Sequence, residues 1–428
     1  MKSAKFNWFS ALLLLALLLQ GCSAIGIGKE EKKEITMKVL ASSQDFPLYM
    51  PLLNEKFPHI SFQVIDVYRQ MVKEEIELDK WDERLVEIIE EEKPDFHMNM
   101  PPDYYIEDYP LLDMAPLLTR DRVELNDIQK QFTESQLNAK SKLTALSPTF
   151  DRELLFVNRK LYRELGITEP TSPMTWDQFR QSALAIQAKD SSATGYKINR
   201  DWYYSYSWVG ENILGLQRIE NNQLMINNIE WRQLFEQLFE DTFKNTIKSQ
   251  QMITNNPNLT RTGLYIGRAS YLKNILKNNE TSDDWALIEL PKDPSSQWSS
   301  SVYTSTRLSI HAESTYSEEA WDIVKYLMSK DAAERIASDN LAEGFVTYSE
   351  HLDIGDFPLD PLLATGSSGT MSMSAVQLIQ PAEQALVDVF RTQFEAVSMG
   401  IFSFDQAWEA VDKVVQDINS KPDNFVNS

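Results

Sequence analysis

The side chains that most often carry out chemistry are few in this sequence and widely spaced. Its 428 residues include one cysteine, Cys22, and four histidines, His59, His97, His311 and His351. The histidines show no HExxH pattern and no paired-ligand spacing, and a lone cysteine provides neither a disulfide nor a thiolate metal site. The sequence also has no GxSxG nucleophile elbow and no phosphate-binding P-loop. We therefore expect no metal and no cofactor.

A second group of residues is suited to binding. The run WYYSYSW, residues 202–208, holds five aromatic side chains. If this run is extended, Trp202, Tyr204, Tyr206 and Trp208 share one face. The C–H face of a sugar ring stacks on such a surface, and tyrosine hydroxyls bond its rim. A core stripe is the alternative, but the interleaved serines make the run polar for a core, so we expect one or two of these aromatics in a ligand cleft.

Cys22 stands directly behind a predicted export signal. Lys2 and Lys5 give a basic start, residues 11–19 form an apolar run, and Gly21 is the small residue before a cleavage site. The apolar run is about half of the roughly 20 residues that cross a bilayer. The segment LQGC resembles the lipobox of bacterial lipoproteins, whose cysteine receives a diacylglyceryl group and becomes the first mature residue. The alternative is an ordinary signal peptide with an unmodified cysteine.

The residues after Cys22 have no apolar period and carry mixed charges, which is typical of a solvated tether. We therefore predict a signal peptide at residues 1–21 and a lipidated tether at residues 22–34. Two acyl chains such as palmitate hold a protein at a membrane far better than one. The mature chain is expected at the outer face of the bacterial cytoplasmic membrane.

Composition limits the function further. The formal net charge is −22, and it becomes −24 when Lys2 and Lys5 leave with the signal. This strongly acidic balance repels phosphates, so we exclude nucleic-acid partners. At 43% hydrophobic residues, a mature chain of this length can form two cores of ordinary domain size.

The chain after the tether alternates between strand and helix patterns. Residues 35–41 predict a strand, residues 48–57 a helix and residues 60–67 a second strand, which together make a βαβ unit. The loop after the first strand contains Asp45 and is expected at the carboxyl edge of a parallel sheet, where α/β folds bind ligands. A helix over Trp81–Glu92 follows, and after a short strand Asp103 lies on a Pro-rich loop.

Residues 147–186 give the most detailed prediction. A β-rich segment leads into a helix that ends near Gly166, and Thr175 with Gln178 forms a capping box at the start of the next helix. The order of these residues, SPTFDRELLFVNRKLYRELGITEPTSPMTWDQF, resembles the extracellular solute-binding proteins of ABC importers, in particular the carbohydrate-binding family. Three later segments are similar to the same family, namely RTGLYIGRASYL, DDWALIELPKDP and STYSEEAWDIVKYLMSKDAAERIAS.

The resemblance implies an α/β, two-lobed periplasmic-binding-protein-like fold, with hinge-linked lobes and a ligand cleft between them. It implies an N-terminal lobe of residues 35–148 and 304–346 and a C-terminal lobe of residues 149–303 and 347–428. The chain is expected to cross between the lobes near residues 148–151, near residues 300–306 and after Gly344.

The resemblance also suggests further ligand contacts. Asp151 stands at the first crossing, where sugar binders of this family often carry an acidic residue, and an ionised carboxylate accepts strong hydrogen bonds from hydroxyls. A turn or helix-capping aspartate is the alternative. Tyr271 and Tyr303 are candidates that are equally consistent with structural roles.

The function implied is that of a substrate-binding subunit, not an enzyme, that captures a small polar ligand such as an oligosaccharide and delivers it to ABC permease subunits in the membrane. It is expected to act as a monomer. An extracellular carbohydrate-active enzyme is the alternative, and it requires two carboxylates roughly 5 to 10 Å apart. Presentation of the ligand to a sensor kinase uses the same fold.

The substitution Cys22→Ser tests the lipid anchor. We expect the variant to incorporate no labelled palmitate and to leave the membrane fraction, because the acceptor thiol is gone. Metabolic labelling followed by fractionation measures both effects. Unchanged incorporation of the label would contradict the prediction.

Overall fold

The computed structural model describes most of the chain after the predicted tether. The described residues are 33–77, 80–100, 102, 106, 109–133, 137, 141–200, 202–243, 249–251, 259–292, 302–304, 306–364 and 376–427. Cys22, the predicted signal peptide and Asp103 lie outside the described residues.

Helices and strands follow one another along the described residues. The helices are α1 (Phe46–Lys56), α2 (Val67–Lys73), α3 (Trp81–Glu92), α4 (Ala115–Arg120), α5 (Asp127–Thr133), α6 (Arg159–Leu165), α7 (Trp176–Lys189), α8 (Trp202–Asn212), α9 (Ile229–Phe243), α10 (Leu272–Lys277), α11 (Ser317–Leu327), α12 (Lys330–Ser338), α13 (Asp360–Leu363), α14 (Gln380–Ser398) and α15 (Phe404–Asn419). The strands are β1 (Ile35–Leu40), β2 (Ile60–Ile65), β3 (Phe96–Met98), β4 (Thr149–Asn158), β5 (Thr194–Ile198), β6 (Ile219–Glu220), β7 (Gln223–Leu224), β8 (Ser249–Gln251), β9 (Thr262–Arg268), β10 (Trp285–Ile288), β11 (Val302–Thr304), β12 (Leu308–Ile310), β13 (Phe345–Val346), β14 (Val376–Leu378) and β15 (Phe425–Asn427).

The first lobe is built around a four-stranded sheet of order β12–β3–β1–β2. Strand β1 runs parallel to β2 and to β3, and β12 runs antiparallel to β3. Helices α1, α11 and α12 cover this sheet and bury Phe46, Trp321 and Ile336 in one hydrophobic core. The parallel strands bring their carboxyl ends to one edge, which is the edge that α/β folds use for ligands.

The second lobe is built around a larger sheet of order β10–β4–β9–β5–β8, with β11 and β13 also paired to β4. Strand β4 is antiparallel to β9 and β10, whereas β5 is parallel to β8 and β9. Both faces of the sheet are covered. Leu155 and Val157 of β4 point into one core with the C-terminal helices, and Phe150, Leu154 and Phe156 point into the other, as the alternation of side chains along a strand requires.

The chain passes between the two sheets at three closely spaced places. Leu146 forms a bridge with Leu308 of β12 just before β4 begins, and β12 follows β11 in the chain. The third passage leads from α12 to β13. The hydroxyls of Tyr49 and Thr149 meet the Thr306 hydroxyl at 2.9 and 2.8 Å, so a buried hydrogen-bonded chain ties α1 of the first lobe to two of the passages.

The helix-capping signals of the sequence are realised. Thr175 and Gln178 exchange side-chain and backbone hydrogen bonds at the start of α7, so the predicted capping box is confirmed. Helix α6 ends at Gly166, whose φ of 62° is the left-handed conformation that glycine adopts without strain. The predicted βαβ unit and the helix over Trp81–Glu92 are confirmed as well.

The mixed α/β architecture with two lobes agrees with the predicted fold class. Within the part of the chain that the structure describes, no helix has both the length and the apolar character needed to cross a membrane.

A buried ion pair in the second lobe gives a test of this packing. Asp241 on α9 is fully buried, accepts two hydrogen bonds from Arg180 of α7 at 2.8 and 2.6 Å, and accepts one from the Tyr196 hydroxyl of β5 at 3.1 Å. Asp241→Ala leaves the Arg180 guanidinium without its carboxylate, so we expect the free energy of unfolding to fall by about 3 kcal/mol or more. Urea denaturation followed by tryptophan fluorescence measures the change.

The matched control is Asp339→Ala, which removes an exposed carboxylate 3.5 Å from Arg335. This variant should unfold like the wild type, because exposed pairs contribute little. Equal midpoints for the two variants would show that Asp241 does not hold α7 against α9.

Candidate functional site

A cavity of about 560 Å³ lies between the two lobes. This volume falls within the roughly 300–1,000 Å³ typical of small-molecule sites. The first lobe contributes Leu48 from α1 and the segment after α12. The second lobe contributes the middle of β4, the residues after β5, the later part of β9 and the start of α8 and α10. The residues that line the cavity are Leu48, Glu153, Asn199, Arg200, Tyr204, Tyr265, Arg268, Ser270, Tyr271, Lys273, Asn274, Asn340, Ala342 and Glu343.

Glu153 is the acidic residue that β4 presents to the cavity. It is only 4% exposed, and its Oε1 accepts a hydrogen bond from Nη2 of Arg200, which follows β5. The Arg200 guanidinium also lies over the Trp208 ring, 4.8 Å from its centroid. The two residues are far apart in sequence and meet because β5 and β4 flank β9 in the sheet.

Asp151 lies two residues earlier on β4 and is 1% exposed, but it does not line the cavity. Its Oδ1 accepts the backbone N–H of Ser270 at 3.1 Å, in the short 3-10 helix that leads into α10. Burial raises the pKa of Asp151 to about 6, against the opposing effect of these hydrogen bonds. Asp151 thus fixes the start of the segment that carries Tyr271 and Lys273 to the cavity wall.

The cationic groups of the wall are tied to the first lobe. Lys273 Nζ donates to Asn340 Oδ1 at 3.1 Å and to the carbonyls of Ala342 and Gly344, both at 2.9 Å. Arg268 Nη1 lies 3.7 Å from Glu343 Oε2. Burial lowers the pKa of Lys273. These contacts fasten the third passage of the chain to the second lobe beside the cavity.

The aromatic run WYYSYSW forms helix α8, so the condition under which its aromatics would share one face, an extended segment, is not met. In a helix, residues two apart point about 200° from each other. Tyr204 is accordingly 48% exposed and lines the cavity, whereas Tyr206 is fully buried and packs edge-on against Phe235 in the core. The run therefore contributes Tyr204 to the cavity wall and Tyr206 to the core.

Tyr271 also lines the cavity, as does Tyr265 of β9. The centroids of the two rings are 5.1 Å apart in an edge-on arrangement, and burial raises the pKa of Tyr271 to about 12. The Tyr265 ring lies directly over Gly267, where a Cβ would approach ring carbon Cζ to 2.4 Å. Only glycine lets this ring occupy its place in the wall.

The structure does not place four other predicted ligand contacts in the cavity wall. Asp45 precedes α1 and does not line the cavity. Trp202 is the first residue of α8, and Tyr303 of β11 stands opposite Asp151 in the strand register, but the structure does not describe their side chains. Asp103 lies outside the described residues. These four residues remain predictions.

Among the residues of the wall, the sequence analysis named only Tyr204 and Tyr271, and the residues that it missed include Glu153, Arg200 and Lys273. Alternation along β4 was a usable signal for Glu153, because residues 151 and 153 share a face of the strand. No comparable signal exists for Arg200 and Lys273, because their positions depend on the order of strands in the sheet.

A second cavity, of about 330 Å³, is lined by Arg159, Tyr162, Arg163, Ile167, Glu169 and Asp283. All of these residues belong to the second lobe. Arg159 is paired with Glu169 at 3.2 Å. Lobe movement would not close this cavity, so the one between the lobes is the candidate site.

The buried carboxyl of Asp151 predicts a specific pH dependence. Its folded-state pKa of about 6 is above its ordinary value of 3.8, so its contribution to stability is largest below pH 3.8 and is lost as the pH rises through 6. Asp151→Asn removes this loss while keeping an acceptor for Ser270. We expect the variant to be more stable than the wild type above pH 6, by up to about 3 kcal/mol, and the difference to fall below about 1 kcal/mol at pH 4.

Thermal unfolding of both proteins between pH 4 and pH 8 measures this effect. A difference in stability that does not change with pH would contradict a raised pKa for Asp151.

Comparison with known proteins identifies one family for this chain. The sequence matches the model of the family described as bacterial extracellular solute-binding protein over residues 104–334. No curated protein sequence matches the chain.

Solved structures give further matches. A solute-binding protein of an ABC transporter from Agrobacterium radiobacter K84, in complex with ribitol, superposes with a TM-score of 0.63 at 14% identity and covers 91% of this chain and 99% of its own. An ABC substrate-binding protein from Listeria monocytogenes in complex with cycloalternan gives 0.57 at 15% identity, with 91% and 99% covered. Maltose-bound MalE3 of T. maritima gives 0.57 at 13% identity, with 90% and 99% covered.

At these identities the similarity to solved structures is one of fold. It agrees with two α/β lobes on either side of a cavity. Because the family model covers more than half of the chain, the protein belongs to the bacterial extracellular solute-binding proteins.

Proposed function

We propose that the protein is the extracellular substrate-binding subunit of an ABC importer and that its ligand is a neutral sugar, polyol or oligosaccharide. The observation that carries this proposal is the cavity between the lobes, whose wall is rich in hydrogen-bonding groups from both. A ligand held there contacts both lobes at once, so binding favours the closed arrangement over the open one.

The charges of the wall favour a neutral ligand. Arg200 is paired with Glu153, Arg268 lies near Glu343, and Lys273 is bound by two carbonyls and an amide oxygen. Each cation thus has a partner within the protein. An anionic ligand would have to displace a carboxylate or carbonyl oxygen from one of these cations, whereas hydroxyl groups can add to the existing interactions.

The tyrosines of the wall favour a sugar. Tyr204 is half-exposed at the start of α8, and Tyr271 lies across the cavity wall on the segment before α10. An aromatic face provides a stacking surface for the C–H face of a sugar ring. We propose both as ligand contacts. The residues that stay predictions as contacts are Asp45, Asp103, Asp151, Trp202, Tyr206 and Tyr303.

The ligands of the structural neighbours support the same class. Ribitol, cycloalternan and maltose are bound by the proteins from Agrobacterium radiobacter, Listeria monocytogenes and T. maritima. All three ligands are neutral and polyhydroxylated, and a ligand of this kind is compatible with the paired charges of this cavity.

Further parts of the proposal concern location and partners. We propose that Cys22 carries the lipid anchor, that the protein lies at the outer face of the cytoplasmic membrane as a monomer, and that it delivers its ligand to permease subunits. The proposed lobes are residues 35–148 with 304–346 and residues 149–303 with 347–428. We propose no catalytic role, because the family is one of solute-binding proteins.

Isothermal titration calorimetry with maltose, ribitol and D-mannitol tests the ligand class, with glucuronate and spermidine as charged controls. We expect at least one neutral compound to bind with a Kd below about 1 mM and neither charged control to bind. Tyr204→Ala should weaken this binding about tenfold, since a stacked aromatic contributes on the order of 1 kcal/mol or more.

Phe402→Ala is the matched control, because Phe402 is similarly exposed but lies in the turn between α14 and α15, away from the cavity. Binding of spermidine or glucuronate in preference to every neutral compound would overturn the proposed class.

A further inference from the structure

Glu153 has a carboxylate oxygen that the protein does not use. Its Oε1 is bound by Arg200, but its Oε2 is fully buried and has no hydrogen-bond partner among the described residues. The side chain as a whole is 6% exposed and lines the cavity between the lobes. A buried oxygen of an ionised group without a partner is destabilising, and it is rare in folded proteins.

Packing alone does not account for this residue. A leucine or glutamine would fill a similar volume without a buried negative charge, and replacing a buried ion pair by apolar groups is often neutral or stabilising. Glu153 instead stands at the point where β4 passes from the core to the cavity, with Leu155 and Val157 buried beyond it. Its charge therefore belongs to the cavity and not to the core.

Arg200 holds the carboxylate in one orientation. Its guanidinium is bonded to Oε1 and lies over the Trp208 ring, and Trp208 is itself buried. When an arginine is bonded to one oxygen of an ionised carboxylate, the lone pairs of the other oxygen remain available as acceptors. A group that donates a hydrogen bond is the complement of such an oxygen.

We propose that Glu153 Oε2 accepts a hydrogen bond from a ligand hydroxyl, and that Arg200 is a positioning residue that keeps this oxygen directed to the ligand. This inference rests on the proposed function and makes it more specific. The ligand must present an unsubstituted hydroxyl at the β4 side of the cavity, so a sugar or polyol methylated there is excluded.

Two other carboxyl groups near the cavity do not share this role. Asp151 Oδ2 also has no hydrogen-bond partner among the described residues, but Asp151 lies behind the wall and not on it. Glu343 lines the cavity, but its side chain is 74% exposed and faces Arg268. Glu343 is therefore a matched control of the same residue type in the same cavity.

The test compares Glu153→Gln with Glu343→Gln, by calorimetric titration with maltose, ribitol and D-mannitol and by thermal unfolding without ligand. Glu153→Gln should weaken the binding of every neutral compound that the wild type binds by tenfold or more, because the acceptor charge is lost. Its unfolding midpoint without ligand should equal or exceed that of the wild type. Glu343→Gln should change the affinity less than twofold.

Arg200 is tested through its conservative variant. Arg200→Met should weaken binding about as much as Glu153→Gln, since it frees the carboxylate to rotate. Arg200→Lys keeps one donor for Oε1 and should restore most of the affinity. If Arg200 supported only the fold, the loss of affinity in Arg200→Met and Arg200→Lys would parallel the loss in their unfolding midpoints. Equal affinities of Arg200→Met and Arg200→Lys would overturn the positioning role.

The outcomes separate the inference from the proposed function. A lower unfolding midpoint of Glu153→Gln with unchanged affinity would show a structural ion pair and overturn the inference, while the proposed function would stand. If the wild type binds none of the three compounds, the proposed class fails. In that case an unchanged unfolding midpoint of ligand-free Glu153→Gln still supports the inference that Oε2 has no structural role. A lowered unfolding midpoint contradicts the inference.

Discussion

The architecture depends on the pairing of one strand, β4, which is buried along its whole length and bonded on both sides. Its first residues pair with β13 and β11, and its later residues pair with β9 and β10. Since β13 and β11 adjoin the passages between the lobes, this strand joins the three passages within a few residues. The lobes can then rotate about this region without rearranging either core.

The same strand accounts for the chemistry of the cavity. Its far end carries Leu155 and Val157 into the second core, whereas its near end carries the carboxylates of Asp151 and Glu153. One of these carboxylates fixes the Ser270 amide and the other engages Arg200. The charged groups of the wall thus have partners of opposite charge or polar partners within the protein, which is the basis for the proposed recognition of ligand hydroxyls.

Local structure was predictable from the sequence, and the site was predictable only in part. The βαβ unit, the capping box of Thr175 and the helix end at Gly166 depend on neighbouring residues, so spacing was enough to find them. The pairing of Glu153 with Arg200 and of Lys273 with the chain after α12 depends on strand order, which spacing does not contain. The run WYYSYSW was considered as an extended segment because aromatic residues are common in strands, whereas in the structure it forms a helix that buries Tyr206.

The central claim is that the ligand binds between the lobes and draws them together. Small-angle X-ray scattering of the protein, with and without the sugar or polyol found by titration, tests it most directly. The radius of gyration should decrease at saturating ligand, because the closed arrangement brings Leu48 of the first lobe and Tyr204 of the second toward a common ligand. An unchanged radius of gyration, at a concentration where calorimetry shows full occupancy, would contradict the claim.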